Sequence, residues 1–549
     1  MQRRRIIKSA IRAAATGAAA LHQAYGADAP SAHADLVTLF EEWREFERPP
    51  LANGAPDYTQ ETFANRQETF NSLRKRLVAM DTTHWPVSAQ VDHAIVRAEM
   101  NGYAFNEKVL KPWTRDPAFY AQVWTEQSDT PAHEGPTNHA LIELWTYDFP
   151  LSEQDSAKLT GELASVPAFL AQARMNLTGD ARDLWVSGVQ TMKEQSAALN
   201  ALGSRIDPAQ EKLLAGVNAA IAATDSFVSW AEAQAPGKTG PSGIGKENYT
   251  WMLRHVHLIP MTWEDEAMLL ERELNRALAA LKLEESRNRE LPELSAIGSP
   301  EEYERRGLAA VRQLVSFLDE RDLFPMKDYM IPALDERIGS YAPPEARNFF
   351  AQASHREPMT LYTHFYHWWD LKMMALEPHP SPVRQSPLLY NIWDSRAEGM
   401  ATAMEEMMLH AGLYDDNPRA REIVWVMLAQ RAARGLASLY AQANEFTMQD
   451  ASDFHVEWTP RGWMSRDSLL GFEQQLYLRQ PGYGTSYVTG KHLIEGILAD
   501  RSKQAAEDDV EFGMKDFFRE LNSSGLIPAS LIRWELTGDA MEVPPLLDD

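Results

Sequence analysis

Residues able to do chemistry gather in one part of this chain. Four of its 15 histidines fall between His355 and His379. The densest piece reads Thr363-His364-Phe365-Tyr366-His367-Trp368-Trp369-Asp370. On a helix, His364 and His367 share a face because they are three apart, with Asp370 three further on. Two imidazoles and a carboxylate hold a divalent metal ion when a distant group closes the site. The usual helical zinc pair spaces its histidines four apart and puts glutamate beside the first. Both features are missing here. The same residues also suit a partly buried aromatic helix whose histidines hydrogen-bond locally.

A second piece runs from Ser395 through Glu398 and Gly399 to Glu405, Glu406 and His410. Seven residues is close to two helical turns, so Glu398 and Glu405 share a face. Paired carboxylates bind metal or raise one another's pKa for acid and base work, whereas charge runs usually form solvated faces. A third piece, Arg479 to Lys491, mixes Gly482, Gly484 and Gly490 with Tyr483 and Tyr487. Tyrosine hydroxyls can donate to a developing oxyanion. The spacing is not that of a phosphate-binding loop, and a plain turn entering a helix from Tyr487 to Ala499 explains it equally well. The candidate catalytic residues are therefore Glu398, Tyr487 and His364. The candidate metal ligands are His364, His367, Asp370 and Glu398. Tyr366, Trp369, Trp393 and Tyr483, with Trp368 nearby, are the candidate lining of a substrate site with flat or apolar contents.

The elements that must position these residues read as helices. Apolar residues recur at helical spacing over Thr59–Met80, Ser88–Val109, Asp180–Leu202, Pro208–Ala231, Thr262–Arg287, Pro300–Leu318 and Ala420–Phe446. Ser299-Pro300-Glu301-Glu302 is a capping box with proline at the first helical position, and Thr262 to Asp265 is a looser version. Glycine, serine and proline crowd Gly237–Gly245, which is expected to link an N-terminal helical region (30–236) to a C-terminal one (246–549) carrying a cleft. Glu377–Pro387 holds four prolines and cannot be helical. The expected fold is all-α, large, irregular and multi-helical.

Composition narrows the function. The chain has 549 residues, 78 acidic against 53 basic, and no cysteine. Disulfides, iron–sulfur clusters, thiolate zinc and cysteine nucleophiles are excluded, so a metal must be held by His, Asp or Glu. A formal charge of −25 disfavours nucleic acid and anionic membrane as partners. No membrane span is expected after the N-terminus. Residues 1–29 open with Arg3, Arg4 and Arg5, then Ile6, Ile7 and Lys8, and offer Ala27-Asp28-Ala29 before Pro30. That pattern fits a twin-arginine-like export signal and a periplasmic or secreted protein; otherwise the chain is cytoplasmic.

Taken in order, these segments resemble the bacterial domain-of-unknown-function 885 family, which is helical and zinc-peptidase-like. Gly245-Lys246-Glu247-Asn248-Tyr249 and Leu253-Arg254 are similar to its GKExY…LR segment. Glu398-Gly399-Met400-Ala401 and Gly412 to Asp416 are similar to its EGWA…GxY.D stretch. Pro481-Gly482, Tyr487 and Gly490 match PGQAxxYxxG, and Gly525 to Pro528 match the closing GxLP. The family's HExxPGHH motif is degenerate here. Aligned on Leu371, Thr363 and His364 fall where the family has His and Glu, and His367, Trp368, Trp369 and Asp370 fall on Pro, Gly, His and His. Leu476 and Val488 stand where many members have arginine and lysine. The resemblance implies a gluzincin-like fold with a deep central cleft, in which Glu398 and Tyr487 survive from the family's site. It implies a divergent hydrolase or lyase acting on a small aromatic or peptide-like substrate, with one divalent metal ion as the cofactor to test. The alternatives are a non-catalytic ligand-binding protein on a peptidase scaffold and a conventional metallopeptidase.

Overall fold

Helix follows helix along the chain because apolar residues return at three- and four-residue intervals. In the helix Gln60–Val78, the buried Phe63, Phe70, Leu73 and Leu77 form one stripe. The computed structural model describes residues 31–132, 138–466, 468–540 and 542–547; the proposed export signal and the His133-Glu134-Gly135 segment lie outside them. The fold is all-α. Its only described sheets are two strand pairs of two residues each, antiparallel Leu51–Ala52 with Ala55–Pro56 and parallel Val123–Trp124 with Ile142–Glu143.

The expected helices form with ends shifted by a few residues, among them Arg182–Arg205, Glu211–Gln234, Trp263–Arg287, Pro300–Glu320 and Pro418–Gln442. Their caps differ in one detail. Ser299 accepts only the Glu302 N–H in its cap, while the reciprocal capping box forms at Thr262 and Asp265. Helix Val87–Phe105 ends in a single π-turn, Asn106–Leu110, closed by Lys111 at φ +42°. Among the described residues one helical stretch, Glu211–Gly237, is long and apolar enough by composition to cross a bilayer. It packs against Arg182–Arg205.

The glycine-rich segment is tied down on both sides. The Gly245 N–H donates to the Gln442 carbonyl at 2.8 Å, and the Arg182 N–H donates to the Gly240 carbonyl at 3.1 Å. One hydrophobic core then runs from Leu36 to Leu546. The proline-rich segment makes only a 3-10 turn, Pro382–Arg384. It is held by buried Arg384, whose Nε donates to Asp92 and Nη2 to Glu535, both at 2.7 Å.

His367, Asp370, Tyr366 and Trp369 lie on the helix Tyr366–Leu376, and three longer helices surround it or carry the other candidates. Pro418–Gln442 is buried on nearly all sides, arginines included. Asp394–Ala411 carries Glu398 and Glu405. Tyr483–Glu507 carries both tyrosines, so this helix starts four residues earlier than expected. Gly482, at φ +88°, turns the chain back directly after Ser468–Arg479. The Glu398 and Tyr483 helices touch through glycine. A Cβ on Gly399 would lie 2.5 Å from the Gly490 Cα and 2.8 Å from the Lys491 nitrogen. That is the packing reason for a glycine inside the Glu398 helix.

Candidate functional site

His364 and His367 meet, but not by sharing a helix face. A turn at 363–365 separates Met359–Tyr362 from Tyr366–Leu376, so His364 sits in the turn and His367 in the first turn of the helix. Their rings lie 5.1 Å apart, edge to face. The other histidines of the window serve loops: His355 accepts from the Ala342 N–H and His379 from the Ser381 N–H.

Glu398 lies between the two rings. Its Oε2 is 3.2 Å from His367 Nε2 and 4.0 Å from His364 Nε2. The Tyr483 hydroxyl donates a short hydrogen bond to Oε1. One donor atom from each of His364, His367 and Glu398 fits within 4.8 Å of the others. Glu398 and His367 are each 1% exposed.

Glu405, two turns on, takes the far side of His364. Its Oε1 lies 3.1 Å from His364 Nδ1. Arg431 grips the same carboxylate, Nη1 to Oε2 at 2.9 Å and Nη2 to Oε1 at 2.7 Å. Arg431 Nη2 also lies 3.2 Å from His364 Nδ1, so that nitrogen donates to Glu405 in one tautomer and accepts from Arg431 in the other. With Nδ1 protonated, the Nε2 lone pair of His364 faces Glu398. Tyr487 stacks nearly parallel to His364, centroids 6.1 Å apart. The Arg434 guanidinium lies 4.0 Å from the Tyr487 centroid.

The charges follow from this geometry. Burial resists ionisation of His367, but the Glu398 carboxylate, helped by Asp129 and Asp370, pushes it up to about 9. Burial likewise resists ionisation of Glu398, yet His367 and the Tyr483 hydroxyl hold it below the usual carboxylate range. The two form a buried ion pair. Burial, then Arg431 and His367, push His364 well below its ordinary value, so it is neutral. Burial pushes Glu405 up to about 8 against the pull of Arg431 and Arg434.

The remaining candidates lie around this centre. Asp370 does not join the donor group; both its oxygens accept from Arg396 at 3.1 Å. Tyr366 donates to Asn522, Trp369 to the Met330 carbonyl and Trp393 to the Leu388 carbonyl, and all three rings sit in the core. Trp368 is half-buried and carries the Arg337 guanidinium 3.5 Å from a ring centroid. Glu406 pairs with Arg276 and Lys491, and His410 stands exposed beside it.

Sequence reasoning missed three groups. Arg431 and Arg434 left one signal, being two arginines three apart inside a mostly apolar run from Ile423 to Leu439. Asp129 left none. It reaches the site from the segment after Trp124, and its carboxyl feels the charges of His367 and Glu398.

The donor set fits a metal ion. Zinc binds imidazole and carboxylate at about 2.0–2.2 Å with tetrahedral angles, which spaces donors roughly 3.3–3.6 Å apart. The His367–Glu398 distance of 3.2 Å lies just below that spacing and the His364–Glu398 distance of 4.0 Å just above it. The carboxylate behind His364 is the usual outer partner of a metal-bound histidine.

Comparison with known proteins defines the fold. No protein-family model matches the chain, and no curated protein does. A putative lipoprotein of unknown function from Shewanella oneidensis is similar in structure, with a TM-score of 0.66 at 15% identity over 92% of this chain and 97% of that one. The putative lipoprotein from Colwellia psychrerythraea aligns with a TM-score of 0.64 at 13% identity, over 92% and 98% of the two chains. The chain shares this large all-helical architecture.

Proposed function

We propose that this protein is an exported metal-dependent hydrolase, a divergent member of the zinc-peptidase-like family that its motifs resemble. The observation carrying the reading is that donor atoms of His364, His367 and Glu398, from a turn, the helix that follows it and the Asp394–Ala411 helix, lie within 4.8 Å of one another. These three residues would hold one divalent ion, which supplies Lewis acidity and an activated water when bound. Glu405 and Arg431 hold the orientation of His364 through its Nδ1. The Tyr483 hydroxyl orients Glu398, and Tyr487 lies against His364 where it can donate to an oxygen that gains negative charge. His367 hands its proton to solvent on metal binding, because only neutral imidazole is a ligand. Small aromatic or peptide-like compounds are the proposed substrates. The likeness to two putative lipoproteins, with the arginine-rich N-terminus, supports export to the cell envelope.

A second reading is a ligand-binding protein without catalysis. It is favoured by the direct His367–Glu398 ion pair and by Phe365 standing where a base would follow His364. Elemental analysis of protein purified without chelator separates the two. The hydrolase reading expects close to one equivalent of a divalent metal, lost in His364→Ala and in His367→Ala. Metal-free wild-type protein that also takes up no added zinc, manganese or cobalt would refute it.

A further inference from the structure

The buried arginines around the site are not equally satisfied. Arg396 and Arg431 each turn both terminal nitrogens on a carboxylate, Asp370 and Glu405. Arg434 turns only Nη1, which donates to Glu473 at 2.6 Å. Among the described residues its Nε and Nη2 have no hydrogen-bond partner, although the residue is only 2% exposed. Those two N–H groups lie along one edge of the guanidinium, and that edge is one with which arginine grips a carboxylate through two parallel bonds. A buried donor pair left open is costly and calls for a ligand.

The surroundings point to a planar one. Arg434 lies over the rings of Tyr487, at 4.0 Å, and Tyr477, at 5.4 Å. A flat anion in the plane of the guanidinium extends between such walls more readily than a tetrahedral one. The place is also close to the donor group, since His364 stacks on the same Tyr487 ring. The charge of Arg434 is felt by Glu398, Glu405 and His364.

We infer that the Nε–Nη2 edge of Arg434 is a carboxylate-binding subsite, and that the molecule processed beside it carries a free carboxylate, as the C-terminal residue of a short peptide does. The inference takes its setting from the hydrolase reading above, but it makes a separate claim about binding. The test uses the full chain as purified, with metal content measured in parallel. Calorimetry compares N-acetyl-L-phenylalanine with its amide, which has the same shape and no charge. The acid is expected to bind at least about tenfold more tightly, the gain typical of a buried charge-assisted pair. Arg434→Lys keeps the positive charge but loses the fork, and is expected to lose most of that preference. Equal binding of acid and amide by the wild-type protein, or binding of neither, overturns the subsite, as does a folded Arg434→Lys that keeps the preference. If Arg434→Lys does not fold, the wild-type comparison is repeated after chelation, where a surviving preference supports the arginine and a vanished one assigns it to the metal. Protein that holds metal but does not discriminate sinks the subsite alone. Protein that discriminates, is purified without metal and takes up no added zinc, manganese or cobalt sinks the hydrolase reading and leaves the subsite standing.

Discussion

At the scale of single residues, the arrangement around His364 makes the sharpest claim. Its Nδ1 has a carboxylate at 3.1 Å, and that carboxylate is clamped by a buried arginine. If Nε2 is a metal donor, Glu405 sets its direction and basicity, and losing such a partner typically costs about 10–100-fold in metal affinity. Glu405→Gln keeps an acceptor of the same shape. It should bind metal at the same stoichiometry with about tenfold weaker affinity, read by competition against a chromophoric chelator. Stability should fall as well, because the amide offers Arg431 one acceptor oxygen where Glu405 offers two. A folded Glu405→Gln with unchanged affinity would show that Glu405 only balances Arg431. The sequence made part of this legible. His364, His367, Glu398, Tyr483 and Tyr487 could be chosen from residue type and motif order. Spacing alone groups Asp370 with them, because nothing local announces that Arg396, 26 positions away, takes both its oxygens. Tyr366, Trp369 and Trp393 are aromatic side chains near the candidate ligands, and periodicity does not say which way such a ring turns.

At the scale of elements, the site depends on two helices approaching at glycine. Gly399 and Gly490 bring the backbones of Asp394–Ala411 and Tyr483–Glu507 into contact, which sets Glu398 against Tyr483. Backbone cannot yield as a flexible side chain can. Gly490→Ala should therefore destabilise the fold by about 3 kcal/mol, the upper end of overpacking costs. Gly496 provides the control, six residues further along the same helix, where an added Cβ meets nothing within 4 Å. Gly496→Ala should stabilise by about 0.5–1 kcal/mol, from helix propensity alone. Denaturant midpoints check both, and a neutral Gly490→Ala would show that the crossing is loose. Helix positions were readable because their apolar period is local. The break at 363–365 was not, since it lies within an aromatic run that suits a continuous helix, and tertiary packing of His364 against Glu405 and Tyr487 decides it.

At the scale of the whole molecule, burial in so large a core controls the response to acid. Burial holds His257 and His379 down at about 4 and His455 at about 3. His455 is the clearest case. Its ring nitrogens lie 3.0 Å from Gln430 Nε2 and 3.2 Å from Gln474 Nε2. A neutral imidazole has one donor and one acceptor, so one of the two amides must present its oxygen. Gln430 Oε1 has no other hydrogen-bond partner among the described residues, so Gln430 is the amide whose oxygen faces the ring. As pH falls below 6.5 the unfolded chain protonates this histidine while the folded one refuses the proton until about pH 3. The unfolded state therefore binds more protons in that window, and stability drops as pH falls. Glu99 and Glu266, pushed up to about 7 by burial, act in the opposite sense. They take up protons in the folded state first, so stability rises as pH falls from about 7 to 4.5. The two sets partly cancel in the wild type, which makes a single-site comparison the decisive one. His455→Gln removes one acid-labile group and keeps polar atoms for its neighbours. Whatever it costs at pH 7, that cost should shrink by about 2–3 kcal/mol at pH 4.5, two units below the unfolded pKa. Denaturant titrations of both proteins at the two pH values measure the difference. A cost that stays the same at both would mean that His455 is protonated in the folded protein, and that Glu473, 3.9 Å away, is its partner.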